Sequence, residues 1–163
     1  MIPTQITIHY TASSRDRTTI EDINAWHKLR WPDFKSSLNF WSGYHFIITG
    51  NGKITQTRRE NEIGAHSIPN EGKIGIALTG NFMIELPSPI QLTSLQSLLE
   101  DIKKRYNWDD EQIKAHKELN PTECPGKYLM EWLEKYRKIS FLKKQIEAIK
   151  RLIEFFLKGR KTI

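Results

Sequence analysis

Cysteine is the scarcest chemistry in this chain: Cys124 is the only one among 163 residues. One cysteine excludes an intrachain disulfide, which leaves packing, redox, nucleophilic attack or metal binding as its roles. Long apolar runs are missing too, none approaching the ~20 residues that a membrane-spanning helix needs. The amino terminus, Met1–Ile2–Pro3–Thr4–Gln5, carries neither a basic start nor an apolar signal segment, so the expectation is synthesis in the cytoplasm, with any export by another route. There is no internal repeat and no low-complexity segment. Net charge is absent from residues 1–137, which hold 17 Lys+Arg and 17 Asp+Glu. The whole excess of +6 falls on residues 138–163, where eight basic residues face only Glu147 and Glu154. A neutral body argues against a nucleic-acid partner. The asymmetry predicts a compact domain over 1–137 and a cationic tail over 138–163.

What is present centres on Ala115–His116–Lys117–Glu118–Leu119–Asn120–Pro121–Thr122–Glu123–Cys124–Pro125–Gly126. The lone thiol follows a histidine on a loop stiffened by two prolines. A small buried hydrophobe is one reading of Cys124, and a metal thiolate beside His116 is the other. A second histidine from elsewhere in the chain has to choose between them.

Gln5–Ile6–Thr7–Ile8–His9–Tyr10 alternates with period two and reads as a strand that delivers His9 at its carboxyl end. Thr18–Thr19–Ile20–Glu21–Asp22 has the hydroxyl and acids of a helix start. Ile20, Ile23, Trp26 and His27 follow at helical spacing, with His27 read as a partly exposed surface residue. Trp31, Phe34, Phe40 and Trp41 lie on a loop where packing over the core is preferred to a flat cleft wall. Tyr44 to Ile48 and Lys53 to Thr57 flank Gly50–Asn51–Gly52 as a hairpin. Strand alternation puts Tyr44 and His45 on opposite faces, one functional and one structural. Gly64–Ala65–His66–Ser67 is a small-residue loop that exposes a histidine in a cleft, and Lys73 to Gly80 reads as a central strand covered on both faces. Thr93–Ser94–Leu95–Gln96 has capping-box spacing and is expected to open a helix with Leu95, Leu98, Leu99, Ile102 and Tyr106 inward. Ile113 to His116 is a short strand, and Leu129, Trp132, Leu133 and Tyr136 describe another helix.

Two imidazoles and a thiolate leave one position of a tetrahedral zinc open, the pattern of a catalytic site. His9, His116 and Cys124 can form that set if the first strand lies beside the strand ending at His116. An amide hydrolase also needs a donor to the developing oxyanion, and Tyr44 and Thr122 can supply hydroxyls. The segments Ile8–His9–Tyr10–Thr11–Ala12–Ser13, Gly43 to Ile48, Gly64–Ala65–His66, Ile74 to Gly80 and Ala115–His116 with Thr122 to Gly126 occur in that order. Together they resemble the type-2 N-acetylmuramoyl-L-alanine amidases, the family of short phage lysozyme-like endolysins and peptidoglycan-recognition proteins. The resemblance spans residues 4–137 and implies an α/β fold, a mixed central sheet of five or six strands flanked by helices. It implies a zinc held by His9, His116 and Cys124, with Tyr44 as the catalytic tyrosine and His66 in contact with substrate. His45 matches a structural position. Thr122 stands where phage members often carry lysine and where many amidase-active recognition proteins carry threonine. The activity implied is cleavage of the amide between N-acetylmuramic acid and L-alanine in peptidoglycan by an endolysin. A muropeptide-recycling amidase and a non-catalytic peptidoglycan-binding module are the competing readings, and retention of Cys124 speaks against the latter.

The tail falls outside the resemblance. Leu142, Ile146, Ile149, Ile153 and Phe156 step by four and three, with Lys143, Lys144, Lys150, Arg151 and Lys158 opposite. This predicts a basic amphipathic helix suited to an anionic membrane or lipopolysaccharide surface. Pairing of two chains and packing on the domain are the alternatives.

Overall fold

The structure, a computed structural model, describes residues 1–159. Residues 160–163 and the side chain of Phe156, which belongs to the tail pattern, lie outside the described residues. In chain order the elements are β1 (Gln5–Tyr10), α1 (Ile20–Arg30), β2 (Phe46–Ile48), β3 (Ile54–Gln56), β4 (Lys73–Leu78), α2 (Pro89–Tyr106), β5 (Ile113–Ala115) and α3 (Lys127–Gly159). Short 3₁₀ turns at Asp110–Gln112 and His116–Glu118 bracket β5.

The sheet has five strands in the order β3-β2-β4-β1-β5. Only the β2–β3 hairpin is antiparallel; β4 runs parallel to β2 and β1, and β1 parallel to β5. This is the mixed sheet that the sequence predicts. Central β4 is buried along its whole length, as a near-continuous apolar run requires when both faces are covered. Ile6, Ile8, Ile74, Ile76, Leu95, Leu99 and Ile102 are fully buried and form the heart of the core.

Local chemistry sets the helix ends. Thr19 caps α1 through a capping box with Asp22, at the start the sequence predicts. Ile20 and Ile23 turn inward, whereas Trp26 is 47% exposed. The start of α2 differs from the expectation at Thr93. Ser88 is the cap, reciprocated by Gln91, with Pro89 in the first turn. Proline is accepted there because the amide it lacks has no helical partner in any case. Thr93 sits one turn inside and donates its hydroxyl to the Pro89 carbonyl at 3.0 Å. The inward stripe of α2 is otherwise as predicted, with Tyr106 half-buried at its end.

The chain divides into two compact units after Met130. In α3, Leu129, Leu133 and Tyr136 are buried and Trp132 stacks on Tyr136. The helix continues without a break through residue 137, and every described side chain from Phe141 onward is exposed.

Candidate active site and metal centre

The register of the sheet brings the predicted ligands together. Ile8 of β1 lies opposite Ala115 of β5, so His9 and His116 emerge side by side at the carboxyl ends of adjacent parallel strands. Strand ends of this kind are where open α/β sheets carry their chemistry. The loop after His116 then folds back. The Lys117 amide donates to the Cys124 carbonyl at 2.8 Å, and the Tyr10 amide donates to Cys124 Sγ at 3.4 Å. Cys124 Sγ lies 3.6 Å from His9 Nδ1. The donor atoms of His9, His116 and Cys124 all lie within 4.8 Å of one another, and among the described residues no other group of three comes together in this way.

Burial dominates the electrostatics. It holds His9 far below the usual imidazole range, with the His66 and His116 rings adding to the effect. It lowers His116 as well, against a hydrogen bond to Asn120 that works the other way. The Cys124 thiol is pushed up to about 12 by burial, only partly offset by the Tyr10 amide. Neutral imidazoles beside a thiol that ionises reluctantly form a set matched to a borderline-soft dication, whose charge would convert the thiol to thiolate.

Tyr44 stands next to this cluster, its ring centroid 5.3 Å from that of His9. Its other side is held by Ile20, Ile23 and Ile47, with Phe40 packed on the same apolar cluster. Burial raises the phenol pKa, and the neighbouring Cys124 adds to the rise, so Tyr44 is a proton donor at neutral pH. Thr122 accepts the Cys124 amide at 3.2 Å through its hydroxyl oxygen, which leaves its own proton to donate. His45 is fully buried, accepting from the Gly75 amide at Nδ1 (3.0 Å) and facing the Glu62 carbonyl at Nε2 (2.9 Å). Tyr44 and His45 both precede β2, in the bend at 43–45 rather than in the strand that the sequence suggested; Tyr44 lies beside the cluster, and His45 is bonded into the backbone of its surroundings. His66 lies with Nδ1 3.0 Å from His9 Nε2 and Nε2 3.3 Å from the Lys73 carbonyl.

Three residues with contacts here were given no role from sequence. Asn120 Oδ1 lies 3.1 Å from His116 Nε2. Its offset of four residues on a helical turn, with its amide bonded to the His116 carbonyl, is a signal that could have found it. His27 is half-buried, as expected, but it also accepts the Gly43 amide at 2.9 Å and lies 5.3 Å from Tyr44. Lys73 anchors the 66–70 loop by donating to the Pro69 carbonyl at 2.5 Å. In the aromatic loop Phe40 packs inward, while Trp41 is flanked by Lys28 and Lys35 and Trp31 by Arg30.

A family profile described as N-acetylmuramoyl-L-alanine amidase matches residues 1–127. The chain belongs to this family. The amidase is 32% identical to the endolysin of Escherichia phage T7 over 80% of its own length and 85% of that protein. It is equally 32% identical to peptidoglycan-recognition protein SC1a/b of Drosophila simulans, over 75% of its length and 67% of the relative. Among solved structures, the endolysin amidase LysCS of Clostridium intestinale superposes with a TM-score of 0.68 at 34% identity, covering 82% of each chain. The sheet of this amidase and its cluster of two histidines, one cysteine and one tyrosine lie within the matched residues, apart from the helical extension beyond 127.

Proposed function

We propose that this amidase is a zinc-dependent endolysin-type hydrolase acting on the bond between the lactyl group of N-acetylmuramic acid and L-alanine in peptidoglycan. The observation that carries the reading is the convergence of His9, His116 and Cys124 within 4.8 Å beside a protonated tyrosine. These three residues would hold the metal, with one position left for water or substrate. When bound, zinc supplies a Lewis acid that makes water nucleophilic near neutrality and polarises the carbonyl under attack. The protein supplies the remaining groups. Tyr44 presents its phenol proton to the oxygen on which negative charge develops. The Thr122 hydroxyl, fixed by the Cys124 amide, is a second donor. Water adds across the amide, leaving a lactyl carboxylic acid and the free α-amine of the stem peptide.

The test is elemental analysis together with release of L-alanine amino termini from purified peptidoglycan, before and after chelation. One zinc per chain, with activity abolished by chelator and restored by zinc, is the expected result. Cleavage undiminished by exhaustive chelation would sink the zinc reading, and action on soluble muropeptides alone would favour the recycling role.

Residues 138–163 form, on this reading, a separate cationic tail. The exposed Leu142, Ile146, Ile149 and Ile153 share one face of α3, with Lys144 and Arg151 opposite and Lys143 and Lys150 on its flank. Such a helix lays its apolar face into an anionic lipid or lipopolysaccharide surface, giving the amidase a means of engaging the envelope at the wall.

A further inference from the structure

The geometry points to His66 and Asn120 as positioning residues that lock His9 and His116 in the tautomers leaving both Nδ1 atoms for the metal. The inference rests on the zinc reading for its purpose, but not for its geometry. It starts from backbone groups whose hydrogen-bonding sense cannot change. The Lys73 carbonyl only accepts, so His66 Nε2, 3.3 Å away, carries the proton. A neutral His66 then has its lone pair at Nδ1 and accepts from His9 Nε2 at 3.0 Å. With its proton on Nε2, His9 turns an unprotonated Nδ1 toward Cys124 Sγ. At the other ligand, Asn120 donates through Nδ2 to the Ile68 carbonyl (2.8 Å) and accepts the Ile68 amide at Oδ1 (3.1 Å). Those two bonds exclude the flipped amide. Asn120 Oδ1 therefore faces His116 Nε2 as an acceptor, and the His116 proton also sits on Nε2. Imidazole ligands oriented through their second nitrogen are the rule in metal sites.

The imidazole of His66 lies in a slot made for it. A Cβ on Gly64 or on Gly75 would sit 2.5 Å from His66 Cδ2, so glycine at both positions admits the ring against β4. The loop itself is tied down, with the His66 and Ser67 amides donating to Asn70 Oδ1 at 2.8 and 2.9 Å. Both ring nitrogens of His66 are thus engaged by protein, and neither is left for substrate. This separates the positioning role from the substrate contact that the sequence suggested.

The full chain is compared with His66→Leu, His66→Gln and Gly75→Ala, reading the His9 tautomer from ring ¹⁵N shifts of metal-free protein and zinc affinity from chelator competition. Metal-free wild type should show His9 protonated at Nε2. His66→Leu and Gly75→Ala should weaken zinc binding by roughly 10–100-fold, while His66→Gln, which keeps an acceptor, should recover most of the loss. A His9 protonated at Nδ1 would overturn the proposal. So would wild-type zinc affinity in His66→Leu together with a raised KM for muropeptide, the signature of substrate contact. If wild type takes up no zinc, the metal reading fails, and the His9 tautomer still decides the relay by itself. Should the variants fail to fold by circular dichroism, the wild-type tautomer is likewise decisive.

Discussion

Burial raises both the Tyr44 phenol and the Cys124 thiol; on the zinc reading the first is thereby kept as a proton donor, and the second would need the charge of the metal to ionise. Substitution should separate the two roles. Cys124→Ala removes a ligand and should lose both zinc and peptidoglycan cleavage, read by elemental analysis and amino-group release. Tyr44→Phe leaves the three ligands intact; it should keep its zinc while kcat falls by about 10²–10³-fold, the usual loss of one oxyanion donor. Unchanged kcat in Tyr44→Phe would remove the phenol from the mechanism. The residues of this cluster were legible in sequence because their types are rare and chemically committed: one cysteine in the chain, and histidines at strand ends. Asn120 and Lys73 were not, because asparagine and lysine are common on any surface. Their roles come from which carbonyl or ring nitrogen the fold puts beside them.

At the level of elements, β1 was readable from period-two alternation, β4 from its near-continuous apolar run and the hairpin from its Gly–Asn–Gly turn, because all three signals are local. The start of α2 was not, since Thr93 and Gln96 reproduce a capping box in the middle of a helix. The true cap, Ser88, is followed by a proline that reads as a breaker until it is placed in the first turn. Ser88→Ala should cost about 1 kcal/mol of stability in a denaturant titration, with Thr93→Ala costing less; the reverse order would restore the sequence-based start. For α3, a chain ending at Arg137 should hydrolyse purified sacculi at the full-length rate but kill intact cells less well. Equal killing by both forms would deny residues 138–163 a part at the envelope.

For the molecule as a whole, acid is the informative stress. His45 is buried and neutral, with burial foremost in bringing its pKa from 6.5 to about 4. The unfolded chain takes up that proton near 6.5 and the folded one only near 4. Stability from this residue is therefore complete above the upper value and falls as pH drops through the window, by on the order of 3 kcal/mol. Denaturant midpoints of the metal-free protein between pH 7 and 4 should show the decline, and His45→Asn should make it shallower, leaving the part due to the other buried imidazoles, His9 and His116 among them. The parallel register of β1 with β4 and β5 has a consequence in time. β1 is an inner strand of the sheet, and its two neighbours follow it in the chain by 68 residues (Gln5 to Lys73) and 107 residues (Ile6 to Ile113), with the His9–Cys124 contact spanning 115 positions. Such long-range closure is slow and cooperative. A growing chain therefore carries His9 long before His116 and Cys124 exist, so the three-residue cluster cannot close on a polypeptide that stops short of residue 124: the order of strands in the sheet sets the moment at which the site is completed.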